Sequence, residues 1–76
     1  MSKRLPVLSS REVIRALARI DFVEIPGRGK GSHHYVYRKK PPQGITIPQR
    51  KQIGRGLLRK IIKAADLTVE EFLALL

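Results

Sequence analysis

Apolar residues recur along this chain with a helical period, then a strand period, then a helical one again. Val13, Ile14, Leu17 and Ile20 return at steps of three and four, which predicts an amphipathic helix from about Ser10 to Ile20. Ser9-Ser10-Arg11-Glu12 opens it as a capping box, with Ser9 accepting from a backbone N–H and Glu12 reaching back. Ahead of it, Leu5-Pro6-Val7-Leu8 is an extended lead-in, since Pro6 disfavours helix at Leu5. Phe22-Val23-Glu24-Ile25, closed by Pro26-Gly27, predicts a first strand. His34-Tyr35-Val36-Tyr37 is rich in strand formers, with Arg38 prolonging it, and Ile45-Thr46-Ile47 makes a third strand stopped by Pro48. The stretch from Lys39 to Gly44 is the turn between them. From Ile53 the helical period returns in Leu57, Leu58, Ile61, Ile62 and Ala65. Thr68-Val69-Glu70-Glu71 is a second capping box, opening a short helix through Phe72 and Leu73. The expected class is α+β in the order α-β-β-β-α with a short extra C-terminal helix. A three-stranded antiparallel sheet carrying its helices on one face is the economical packing, as one domain over residues 1–76.

Charge adds a partner to this outline. Sixteen Lys and Arg against six Asp and Glu give a net charge of +10 on 76 residues. The stretch from Gly27 to Lys63 contains no acid, and the acids lie outside it, at Glu12, Asp21, Glu24, Asp66, Glu70 and Glu71. Such a block repels itself, and a polyanion relieves it, so nucleic acid is the expected ligand. A hydrophobic content of 42% is enough for a folded core and excludes a disordered basic tail. The absence of cysteine excludes a disulfide framework and a thiolate metal site, and makes a reducing, cytoplasmic compartment the expectation. No apolar run approaches a membrane span and no signal-peptide core opens the chain, so no membrane is expected as a partner.

The cations fall into groups. Arg11, Arg15 and Arg19 line up at steps of four on the polar side of the first helix, and Arg55, Arg59 and Lys63 do so on the second. Arg28 and Lys30 alternate with Gly27, Gly29 and Gly31 in a flexible basic loop. These residues are read as phosphate contacts, which place a substrate without reading its sequence. The same charges would equally suit an acidic protein surface. Gly54 and Gly56 either leave backbone N–H groups open to phosphate or shape a loose helix start. Tyr35 and Tyr37 either stack on unpaired bases or pack within the sheet.

Strings along the chain then point to a family. Leu5-Pro6, Ser9-Ser10-Arg11-Glu12-Val13, Phe22-Val23-Glu24 and Gly31-Ser32-His33-His34 are followed by Thr46-Ile47-Pro48. Gly56-Leu57-Leu58-Arg59-Lys60-Ile61 and Leu67-Thr68-Val69-Glu70-Glu71-Phe72-Leu73 complete the set. Each string alone is weak, but together, in this order and covering nearly the whole chain, they resemble the HicA family of toxin–antitoxin ribonucleases. The resemblance implies a double-stranded-RNA-binding-domain-like α-β-β-β-α fold, cleavage of mRNA, and silencing by a HicB-type antitoxin. It also implies that the histidine of the Gly-Ser-His string, His33, is catalytic; Ser32 and His34 beside it are read as RNA contacts, with packing or support of the strand as the other role for His34. One string departs: many members have Pro-Val-His after the third strand, where this chain has Pro48-Gln49-Arg50. A role for that further histidine does not carry over. Arg50 or Lys51 can supply charge there but no proton shuttle at neutral pH.

The chemistry fits the residue types. Metal-independent RNA cleavage needs a group to take the ribose 2′-hydroxyl proton and cations to stabilise the crowded phosphate. Histidine suits the first task because its unperturbed pKa of about 6.5 lies near working pH. The chain has two histidines, adjacent at 33 and 34, which point to opposite faces of a strand, so at most one faces the RNA directly. Parity puts His34 with Val36 and leaves open which face meets the helices. Adjacent strand histidines diverge, and no cysteine or well-placed carboxylate completes a metal site, so neither metal nor cofactor is expected. The reading is a monomeric mRNA-cleaving toxin with His33 as general acid/base. The alternatives are a non-catalytic double-stranded-RNA-binding-like module and a basic nucleic-acid-binding structural protein.

Overall fold

In the computed structural model, residues 4–28 and 31–76 are described. Helix α1 spans Ser10–Ala18. It starts where it does because Ser9, in extended backbone, accepts from the Glu12 N–H at 3.1 Å and donates its own N–H to Glu12 Oε1 at 2.8 Å. The Ser9 backbone N–H, then its hydroxyl, hold the Glu12 carboxyl below its ordinary range, and Arg15 adds to this. The helix stops short of Ile20. Asp21 turns into the left-handed region at φ 74°, and the Phe22 N–H reaches back to the Leu17 carbonyl at 3.2 Å. This closure satisfies carbonyls that the last turn would leave open.

Strands β1 (Val23–Glu24), β2 (His33–Arg38) and β3 (Gln43–Pro48) form one antiparallel sheet in the order β1-β2-β3. β1 is shorter than the four-residue strand expected, β2 begins one residue earlier at His33, and β3 extends beyond Ile45–Ile47 at both ends. Val36 pairs with Ile45 and His34 with Ile47, so these four share a face. Val36, Ile45 and Ile47 are buried, and that face therefore meets the helices. Among the described residues, the opposite face, with Tyr35, Tyr37 and Thr46, carries no helix.

Helix α2 spans Arg55–Ala64 and α3 spans Val69–Leu73. α2 starts at Gly54 with no side-chain cap, whereas Thr68 and Glu71 form the expected reciprocal cap of α3. Asp66, at φ 61°, ends α2 as Asp21 ends α1. The core runs from the lead-in through the helices: Leu5, Val13, Leu17, Ile53, Leu58 and Phe72 are fully buried with Val36 and Ile47. Burying each such side chain contributes about 1.5–3 kcal/mol, which is what holds α1 and α2 on the sheet. Three long-range bonds fix the frame: Ile53 N–H to the Leu8 carbonyl at 2.6 Å, Arg55 Nε to the Leu5 carbonyl at 2.7 Å, and the Gln43 amide to the Ala64 carbonyl. Among the described residues, no helix is long and apolar enough to cross a membrane. The α-β-β-β-α order, the single antiparallel sheet and the short last helix are those expected.

Candidate functional site

The start of α1 and the segment leaving β3 are joined by one side chain. Ser10, buried at the first turn, donates its hydroxyl to the Pro48 carbonyl at 2.7 Å and accepts from the Arg50 N–H at 2.5 Å. Its own N–H donates to the Arg50 carbonyl at 3.0 Å. Gln49 N–H in turn donates to the Ser32 carbonyl at 2.6 Å, fastening the same segment to the residue before β2. These bonds frame a cleft of about 280 Å³ lined by Ser9, Ser10, Arg11, His34, Gln49, Arg50 and Lys51. Three of its lining residues are cations and none is an acid, so it is electrostatically suited to a phosphate.

His34 enters this cleft because it lies on the helix-facing side of β2, beyond the buried Val36. Its Nδ1 is 2.6 Å from Glu24 Oε2, and the side chains are 17% and 39% exposed. Glu24 reaches it because the register Glu24↔Val36 sets it on the same face as His34, one strand over. A neutral ring whose Nδ1–H donates to a carboxylate presents Nε2 as an acceptor. His33 sits differently. It opens β2 opposite Pro48, is exposed, and belongs to the other parity, with Tyr35 and Tyr37. The cleft's histidine is thus His34, while the family string's histidine lies beside it on the alternate face.

The remaining sequence candidates do not converge on one place. Arg11 lines the His34 cleft, but Arg15 and Arg19 line a second, more apolar groove with Leu8, Ala16 and the C-terminal Leu75 and Leu76. Arg28 lies over the Tyr35 ring, 5.1 Å from its centroid, on the helix-free face. Arg55 is held to the lead-in by the Leu5 carbonyl, whereas Arg59 and Lys63 are exposed along α2. Ser32 contributes its backbone carbonyl to the frame. Lys30 and Gly29, in the middle of the glycine loop, lie outside the described residues. Gly54 and Gly56 face open space, so the first turn of α2 is unobstructed. Tyr35 lies across Gly44, which has no side chain to obstruct it.

Sequence reasoning missed Glu24 and Ser10 as site residues. The signal for Glu24 was strand register, which is not local information. Ser10 was hidden by its place in a capping box, where the cap is its neighbour Ser9. Arg50 and Lys51, weighed only as a source of charge, form a wall of the cleft. Among the described residues, no group of three His, Cys, Asp or Glu side chains gathers at metal-binding distance.

Comparison with known proteins agrees with the strings. The family model described as HicA toxin of bacterial toxin-antitoxin matches residues 10–67, from the first residue of α1 to the turn before α3. A search of curated proteins finds no match.

Proposed function

The chain belongs to the HicA toxin family of bacterial toxin–antitoxin systems, and on that premise we propose that it is a metal-independent endoribonuclease that cuts mRNA in the cytoplasm. Loss of message arrests translation and growth, and a HicB-type antitoxin silences the toxin by covering the same basic surface. The observation that carries this reading is the basic cleft beside the paired histidines, with Arg11, Arg50 and Lys51 around His34.

The reaction is transphosphorylation. A base removes the ribose 2′-hydroxyl proton, O2′ attacks the adjacent phosphorus, the P–O5′ bond breaks, and the departing 5′ oxygen takes up a proton. The products are a 2′,3′-cyclic phosphate and a 5′-hydroxyl. Imidazole serves as the acid/base at neutral pH, and the family string assigns that role to His33. Cations around the phosphate stabilise its extra negative charge. Arg11 holds the phosphate in the cleft together with Arg50 and Lys51, Ser32 and His34 stand at the reacting end, and Arg15, Arg19, Arg28, Lys30, Arg55, Arg59 and Lys63 meet phosphates farther along the strand of RNA.

The test is cleavage of an end-labelled mRNA in EDTA by the free chain and by His33→Ala. The expected result is cutting by the former and a loss of about 10²–10⁴-fold in the variant. Arg50, standing where many relatives carry histidine, favours a second reading, a non-catalytic RNA-binding module. Binding of RNA with no cutting by either preparation would establish that second reading and remove the first.

A further inference from the structure

We propose that His34 is a further catalytic residue of this cleft, its Nε2 accepting the 2′-hydroxyl proton, and that Glu24 is the residue that positions it. The inference rests on the ribonuclease reading above, but not on the assignment of His33.

Four observations meet at this residue. His34 lines the cleft, and His33 does not. Its Nδ1 lies 2.6 Å from a carboxylate, which orients the ring and, in neutral imidazole, favours the proton on Nδ1. Nε2 lies on the ring edge away from that carboxylate and, among the described residues, makes no hydrogen bond within the protein. Arg11, Arg50 and Lys51 line the same cleft, where a phosphodiester would sit within reach of the ring. The ionisable groups around His34 are thus Glu24 behind it and these three cations in front.

A histidine serving only the sheet would need neither the cleft nor the cations. A carboxylate, an imidazole and an anion-binding cleft in series form the arrangement that orients a general base. In the step itself, Nε2 gains the proton of the 2′-hydroxyl while Nδ1 keeps its own, shared with Glu24. O2′ forms its bond to phosphorus as P–O5′ breaks, and the 5′ oxygen receives a proton from water or from His33. Glu24 keeps its charge throughout, which offsets the positive charge that arises on the ring.

The experiment is single-turnover and steady-state cleavage of a labelled mRNA by the full chain, His33→Ala, His34→Gln and Glu24→Gln, with ¹⁵N spectra of the histidine rings. Folding of each variant is followed by its thermal melt. The proposal expects His34→Gln to cut at least about 100-fold more slowly at saturating RNA, the loss lying in kcat. It expects Glu24→Gln to lose about tenfold or more in kcat with KM unchanged, as when an orienting partner is lost. In the parent, the His34 ring proton is expected on Nδ1. If His34→Gln and Glu24→Gln cut at the parent rate while His33→Ala is dead, the proposal is overturned and the ribonuclease reading stands. A parent chain that binds but cuts nothing overturns both. Should Glu24→Gln fail to fold, the parent spectrum decides alone: a proton on Nε2 rather than Nδ1 of His34 overturns the proposal.

Discussion

Ser10 shows how much one small side chain can determine. Its hydroxyl serves a carbonyl of β3 and an N–H two residues farther on, while its own backbone N–H serves the Arg50 carbonyl. All of these partners are far away in the chain, so no local rule predicts them. Ser10→Ala removes the hydroxyl from a part-buried carbonyl of Pro48 and N–H of Arg50. The expected loss of stability is about 0.5–1.5 kcal/mol, the net worth of an ordinary hydrogen bond, measured by urea denaturation. Because the same bonds hold Arg50 at the cleft wall, RNA affinity should fall in the same variant. A loss confined to stability, with RNA affinity unchanged, would remove Arg50 from the binding surface. Ser9, one residue earlier, is legible from sequence alone because its partner Glu12 is three residues away.

At the scale of elements, β2 carries the consequences of alternation. Its even positions, His34 and Val36, face the helices, and its odd positions, His33, Tyr35 and Tyr37, face away. A one-residue slip would bury the tyrosines and expel His34 from the cleft, so the register is also the specification of the site. Gly44 belongs to this account. A Cβ built there falls inside the Tyr35 phenol, so the tyrosine can lie flat across β3 only while position 44 is glycine. Gly44→Ala should displace the Tyr35 ring and cost about 1–3 kcal/mol, the usual penalty of overpacking. The same substitution made on Tyr35→Ala should cost much less, and a double-mutant cycle on thermal unfolding measures the difference. Additive effects would mean that Tyr35 has another resting place.

Over the whole molecule, the charge of +10 is not one uniform coat. Arg11, Arg50 and Lys51 converge on the His34 cleft, Arg15 and Arg19 flank the C-terminal leucines, and Arg28 caps a tyrosine on the far side of the sheet. RNA affinity depends on how many phosphates are neutralised, and each contact to a single strand contributes about −0.7 to the slope of log affinity against log salt. Replacing Arg11, Arg50 and Lys51 together with glutamine should therefore flatten that slope by about 2. Replacing Arg15 and Arg19 should change it less, since their groove is more apolar. Fluorescence anisotropy titrations at several salt concentrations check both, and an unchanged slope in the triple variant would move the RNA path away from the cleft.

The sequence by itself determined what is set within a turn or two of chain. Caps at Ser9 and Thr68, breaks at Pro26-Gly27 and Pro48, and the two periods of apolar residues were sufficient for the α-β-β-β-α order, and the ordered strings for the family. Arg11 and His34, both proposed from sequence as RNA contacts, line the cleft. Helix ends were less legible: Asp21 and Asp66 adopt left-handed backbone that is ordinarily left to glycine, and so the first helix stops before the pattern does. The site depended on tertiary structure because its contacts cross strands and span the chain. Glu24 meets His34 only through the pairing of β1 with β2, and Ser10 meets Arg50 only once the core draws α1 against the segment leaving β3. Periodicity reports which residues share a face of one element, but which face turns inward is decided by burial of Val36, Ile45 and Ile47, and with it which histidine stands among the cations.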